Sequence, residues 1–179
     1  MKDSLGELTL MVPNRLDTSY KWHRTSDCLP CGRIQYRFSD SRYGQFAEGG
    51  FFWTTVLDSV YQLTLIHNPL RESPDTAKNV SIRIEDSANY YRFLEGKDQM
   101  GPVTVFKRWF LNINSRSFAV VSYQNPLSLL TTKKAIILSA TTTLKSRRLE
   151  FYAECSAKDT AGFLDNMFKS LSSIKIVER

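Results

Sequence analysis

The segment from Lys133 to Val177 reads as strand, turn, strand, amphipathic helix and short strand, and it constrains the fold more than any other part of the chain. Ala135 to Thr142 and Leu149 to Cys155 have the composition of strands and pair around Leu144-Lys145-Ser146. A helix follows, with Asp159 as its N-cap or first-turn residue, because its carboxylate can accept hydrogen bonds from the unpaired amides there. Phe163, Leu164, Met167, Phe168 and Leu171 recur at helical spacing, so one side of that helix is apolar. Lys169 falls near its C-terminus, where a cation is favoured. Ile174 and Ile176, flanking Lys175, predict one more short strand.

The rest of the chain is also rich in strands. Glu7 to Val12 reads as a strand stopped by Pro13 and Asn14. Arg15 to Pro30 is polar and irregular, with Tyr20 and Trp22 as anchors. Ile34, Tyr36 and Phe38 alternate with Gln35 and Arg37, which makes Cys31 to Phe38 a second strand. Ser39 to Gly50 is loop-like, Phe51 to Trp53 and Tyr61 to Ile66 are strands, and Asn68 to Lys78 is a surface loop. Val80 to Ile84 alternates cleanly, and Asp86 to Leu94 fits a short helix stopped by Gly96. Val103 to Ile113 and Phe118 to Tyr123 form a hairpin around Asn114-Ser115. Strands joined by hairpins, with few helices, give an α+β domain: a mostly antiparallel sheet with a C-terminal amphipathic helix packed on it. No linker or repeat divides residues 1–179, so a single domain is expected.

Composition bounds the function. At 42% hydrophobic and 12% aromatic content, the chain can build a core and is not a disordered segment. Apolar runs are short, so no transmembrane helix is expected, and Met1 to Leu5 lacks the apolar stretch of a signal peptide. An envelope or periplasmic protein without its leader is favoured over a cytoplasmic one. The formal charge of +6 is unevenly placed. Residues 1–90 carry 10 basic and 11 acidic side chains, while residues 91–179 carry 14 and 7. Lys107-Arg108, Lys133-Lys134 and Arg147-Arg148 lie in that basic half and mark a face for an acidic partner, against the alternative of a solvated basic surface.

Three phrases carry a family resemblance: Ala135 to Thr141, Leu149 to Cys155, and Phe163 to Ile176 with its ending Ser170-Leu171-Ser172-Ser173-Ile174-Lys175-Ile176. With the early Met11-Val12-Pro13 turn, they resemble the PsbP-like fold. That fold is shared by an extrinsic photosystem II subunit, a Ran-binding nuclear import factor and small bacterial envelope or secretion-associated proteins. The resemblance implies a protein that acts by binding proteins and not by catalysis, with chaperone-like adaptors and immunity-type partners of secreted toxins among its bacterial members. It does not extend to Arg15–Gly50, where a specific function is expected to differ.

Candidate chemical sites are few. Cys28-Leu29-Pro30-Cys31 is a C-x-x-C motif, and a Cys28–Cys31 disulfide is the leading reading. Unpaired structural thiols, half a zinc site completed by Cys155 and His23 or His67, and a redox pair remain alternatives. Neither His23 nor His67 sits in a metal-binding spacing, and no catalytic residue or metal site is assigned. Glu85 and Asp86 are adjacent on a strand and point to opposite faces, so they do not cooperate. Phe38, Phe51, Trp53 and Trp109 are read as core, whereas Tyr90, Tyr91 and Arg92 form a candidate hot spot for a protein partner.

The sequence therefore points to a non-catalytic protein-binding module without a cofactor, an immunity protein or secretion-associated adaptor. Its expected contact residues are Lys133, Lys134, Arg147, Arg148, Tyr90, Tyr91 and Arg92, and nucleic acid is not expected as a partner. Two rivals are an envelope lipoprotein with a solute-binding or structural role and a thiol-dependent enzyme using the C-x-x-C motif.

Overall fold

In the computed structural model, residues 2–3, 6–24, 33–43, 59–71, 104–125, 133–156 and 160–178 are described. The strands are β1 (Lys2–Asp3), β2 (Gly6–Thr9), β3 (Thr18–Arg24), β4 (Arg33–Ser39), β5 (Tyr61–Arg71), β6 (Thr104–Ile113), β7 (Arg116–Asn125), β8 (Ala135–Leu144), β9 (Arg147–Cys155) and β10 (Lys175–Glu178). Among the described residues one α-helix, α1 (Phe163–Ser172), precedes β10, and a short 3-10 turn covers Ser41–Tyr43.

Two tight turns organise the larger sheet. Asn114 and Ser115 have φ of 48° and 64°, and Lys145 and Ser146 have φ of 47° and 60°. Two consecutive left-handed residues form the turn whose twist matches a two-residue hairpin, so β6–β7 and β8–β9 close as expected. The seven-stranded sheet runs β3-β4-β5-β9-β8-β7-β6, antiparallel throughout. A smaller sheet, β1-β2-β10, joins the N-terminal strands to the C-terminal one. Gly6 is required there: at its φ of 150°, a Cβ would lie 2.2 Å from the Val177 carbonyl oxygen.

One face of the large sheet builds the core. Leu63 stands opposite Ala153, which stands opposite Leu138; Leu65, Phe151 and Ala140 form the next row. Helix α1 packs over β8 and β9 and buries Phe163, Met167 and Leu171 completely. Each contributes about 1.5–3 kcal/mol by leaving water. The Phe163 ring meets Tyr61 edge-on, with centroids 5.1 Å apart. Leu8 and Ile174 extend this cluster towards the smaller sheet.

The other face is polar and buried at its centre. Ser39, Gln62 and Glu154 form one cross-strand row, and Arg37 and Thr64 begin the next. Glu154 is 4% exposed and Arg37 5%. Burial of such groups requires partners. Gln62 Nε2 donates to Glu154 Oε2 at 3.4 Å, Arg37 Nε donates to Thr64 Oγ1 at 3.1 Å, and Arg37 also reaches the Tyr20 hydroxyl at 3.4 Å.

Several boundaries differ from expectation, each for a physical reason. Thr18–Arg24 is a strand, not an irregular segment. It lies at the edge of the sheet, where Ser19 and Lys21 are exposed, so its pattern lacks an apolar period. β2 ends at Thr9 because its partner β10 begins opposite it at Lys175. β5 continues through Asn68 and Pro69 to Arg71, beyond the predicted loop start, and its pairing with β9 becomes irregular between His67 and Arg71. The described β4 partner ends at His67, which leaves Pro69 where a missing N–H is tolerated. The N-cap of α1 is Gly162, at φ 70°, and not Asp159. A turn from the Thr160 carbonyl to the Phe163 amide supplies by backbone what a capping side chain would supply, and Asp165 provides the first-turn acid. The predicted elements at Phe51–Trp53, Val80–Ile84 and Asp86–Leu94 lie outside the described residues.

Candidate protein-docking edge

Strand β6 ends the order of the seven-stranded sheet, and β7 is its partner among the described residues. It is ten residues long, and most of its side chains are exposed. Val105 is 37% exposed, Phe106 48% and Phe110 54%. The register with β7 shifts between Val105 and Lys107, which makes Phe106 the extra residue of a bulge. A long edge strand carrying three exposed apolar side chains is a template for another chain.

The two faces of β6 are alike in chemistry. On the core side Lys107 Nζ stands 5.1 Å from the centre of the Trp109 ring. Trp109 in turn stands 6.2 Å from Phe168 of α1, which is 37% exposed. The other side presents Arg108 and Phe110, opposite Val121 and Ala119. The hairpin Thr104–Asn125 holds Lys107, Arg108 and Arg116 and no acidic residue. Its turn is anchored: Asn114 Nδ2 donates to the Ile174 carbonyl at 2.5 Å, and Arg116 pairs with Glu178. The strand is therefore held at its turn end, and among the described residues no strand pairs with its outer edge.

A second charged cluster ties the chain before β3 to the end of β4. Arg15 Nε donates to Asp40 Oδ2 at 2.8 Å, while its guanidinium lies 4.0 Å from the centre of the Tyr61 ring and hydrogen-bonds the Tyr43 hydroxyl at 3.0 Å. Arg42 donates to both Asp40 oxygens, at 2.9 and 2.6 Å. Asp40 is 2% exposed. The Arg42 guanidinium, then Arg15, hold its carboxyl well below the usual carboxylate range, against the opposing effect of burial. Asp17 is also lowered, by the hydroxyl and amide of Ser41. This cluster is a staple between loops: the buried Asp40 carboxylate is paired with the part-buried Arg15 and the exposed Arg42.

The residues singled out from the sequence are dispersed. Lys133 and Lys134 are exposed just before β8, and Arg147 and Arg148 open β9 at the far end of the same hairpin. Ten residues of strand put roughly 30 Å between the two pairs. Arg148 is ion-paired with Glu150 at 3.0 Å. Tyr90, Tyr91, Arg92, Cys28 and Cys31 lie outside the described residues. Cys155 and His67 are both buried on the core face, one opposite Tyr61 and the other opposite Leu149. Among the described residues no three His, Cys, Asp or Glu side chains are grouped to hold a metal ion. A cavity between the two sheets, lined by Gly6, Leu8, His67, Leu149 and Ile176, has a volume of about 10 Å³, room for one water and not for a solute. Trp109 and Phe38, expected in the core, are half-buried against it, and Phe51 and Trp53 lie outside the described residues.

The sequence marked Lys107-Arg108 as part of a basic face but left β6 out of the expected contact residues, because its apolar residues read equally well as core. The available signal was Lys107-Arg108 in the middle of Val105 to Phe110, two adjacent charges that point to opposite faces and so mark both faces of the strand as accessible.

No family model matches the chain, and no curated protein sequence matches it. Solved structures do. The solution structure of cyanobacterial PsbP (CyanoP) from Synechocystis sp. PCC 6803 aligns over 98% of this chain and 94% of its own, with a TM-score of 0.53 and 10% identity. A Pseudomonas aeruginosa protein of unknown function, PA94, aligns over 94% and 96%, with a TM-score of 0.47 and 11% identity. The similarity to CyanoP establishes the PsbP-like fold that the C-terminal phrases resemble.

Proposed function

We propose that this chain is a non-catalytic module that docks a protein partner along the β6 edge. One observation carries the reading: Phe106 and Phe110, 48% and 54% exposed, flank Lys107 and Arg108 on the outer strand of the sheet. Exposed aromatic side chains beside cations are the composition of binding hot spots, and the cations steer an acidic partner to them. The PsbP-like fold supports the same reading by resemblance. The finer role it favours is an immunity protein or a secretion-associated adaptor with a cognate protein. Lys133, Lys134, Arg147 and Arg148 then serve as flanking charges that speed encounter from a distance.

The test is affinity capture from the source cells with the wild-type chain and with a Phe106→Ser, Phe110→Ser variant, at low and moderate salt. One stoichiometric protein, retained by the wild type, lost by the variant and weakened by salt, is the expected result. A partner retained equally by both chains overturns the assignment of β6. Reversal of all four charges at Lys133, Lys134, Arg147 and Arg148 should slow association, and an unchanged rate removes them from the account.

A further inference from the structure

We infer that β6 takes up its partner by strand addition: an extended segment in which two adjacent acidic residues are followed by two apolar ones pairs with it as a further strand of the large sheet. The inference rests on the docking role proposed above and adds the mode of pairing and the chemistry of the segment.

The backbone supplies the first argument. In a two-residue hairpin the closing pair, here Ile113 and Arg116, exchanges both of its hydrogen bonds. Pairs then alternate along the ladder, so Trp109 and Leu111 bond inward to β7. Arg108, Phe110 and Asn112 turn their N–H and C=O groups outward, to the side on which no strand pairs with β6 among the described residues. Those three outward rungs lie on the regular part of β6, past the bulge at Phe106.

Charge selects the occupant. A second copy of this chain pairing β6 antiparallel about its two cations would set Lys107 against the other copy's Arg108, and like charges across a ladder are destabilising. The bulge and the two cations are devices that keep an edge from pairing with itself. An acidic strand meets no such barrier. Its carboxylates reach Lys107 on one face and Arg108 on the other, while its apolar residues cover Trp109 and Phe168 on the first and Phe110 on the second.

The probe is a fluorescein-labelled eight-residue peptide that repeats Glu-Glu-Val-Val, so that each face carries both acidic and apolar side chains, titrated with the full chain by fluorescence polarisation. We expect saturable binding that the corresponding lysine–valine peptide does not show. Asn112→Pro removes one outward N–H without touching Lys107, Arg108 or the aromatics, and should weaken binding about tenfold, the equivalent of one hydrogen bond to the partner. Asn112→Ala should leave it within about twofold. Should Asn112→Pro not fold, the fully N-methylated glutamate–valine peptide tests the same point on the wild-type chain, and it should not bind. Binding insensitive to Asn112→Pro and to N-methylation overturns strand addition while leaving side-chain docking at β6 in place. Absence of binding overturns it also, as does binding confined to phosphatidylserine vesicles, which would make the aromatic–basic edge a membrane contact. If the peptide pairs as expected while the cellular partner ignores Phe106→Ser and Phe110→Ser, the docking role fails and the pairing property of β6 stands.

Discussion

Trp109 of the edge strand and Phe168 of the helix stand with ring centroids 6.2 Å apart and planes tilted by 45°. That contact makes one surface from two elements: β6 lies at the end of the sheet, and α1 packs over its middle. Because Phe168 faces this seam, the fully buried apolar stripe of the helix narrows to Phe163, Met167 and Leu171, with Ser170 beside them. Trp109→Ala and Phe168→Ala should each cost little, and a double-mutant cycle should return a coupling of about 0.5–1.5 kcal/mol in urea unfolding. Strictly additive costs would mean that the two rings do not support one another.

Exposed and buried phenylalanines on the same hairpin should behave oppositely. Phe110→Ser should leave stability within about 0.5 kcal/mol of the wild type, since the ring is more than half in water. Phe118→Ala, at a fully buried position, should cost about 3–5 kcal/mol. Chemical denaturation of the two variants measures both, and a large loss at Phe110 would mark it as structural.

Acid should act through Asp40. Its carboxyl is held low in the folded state by Arg42 and Arg15, so the unfolded chain binds that proton more readily. The stability it adds is complete well above about pH 4, the ordinary aspartate value, and is lost as pH falls below it towards the lower folded value. Asp40→Asn should cost about 1–3 kcal/mol at pH 7, less whatever share solvent screens at the exposed Arg42. The gap in melting temperature between wild type and variant should be constant above about pH 5 and narrow progressively as pH falls below about 4; a gap that stays constant through acid would place the effect elsewhere.

Hairpin geometry was the most legible part of this sequence. Asn114-Ser115 and Lys145-Ser146 stand between strongly alternating segments, and both turns fall where that alternation puts them. The helix was legible for the same reason, from the spacing of Phe163, Met167 and Leu171. What alternation cannot show is which strand ends the sheet, because Phe106 and Phe110 have the same hydrophobicity at an edge as in a core. Nor does it show pairings made across the chain, such as Arg15 with Asp40, where a loop arginine finds its partner through tertiary structure.

The turns themselves are improvable. Ser115 and Ser146 hold left-handed conformations that cost a residue with a Cβ about 1 kcal/mol and glycine almost nothing. Ser115→Gly and Ser146→Gly should each stabilise the chain by up to about 1 kcal/mol, read as a rise in melting temperature. Asn114 should not tolerate replacement in the same way, since its side chain also holds the Ile174 carbonyl.

The central claim is that β6 is where a protein partner lands. A photo-crosslinking amino acid in place of Phe110, with Val177 on β10 as a control that is more exposed, at 66% against 54%, tests it inside the source cells. The account predicts one discrete protein adduct at Phe110, lost when Lys107 and Arg108 are both changed to glutamate, and none at Val177. Adducts of equal pattern at both positions, or a discrete adduct at Val177 alone, would contradict it.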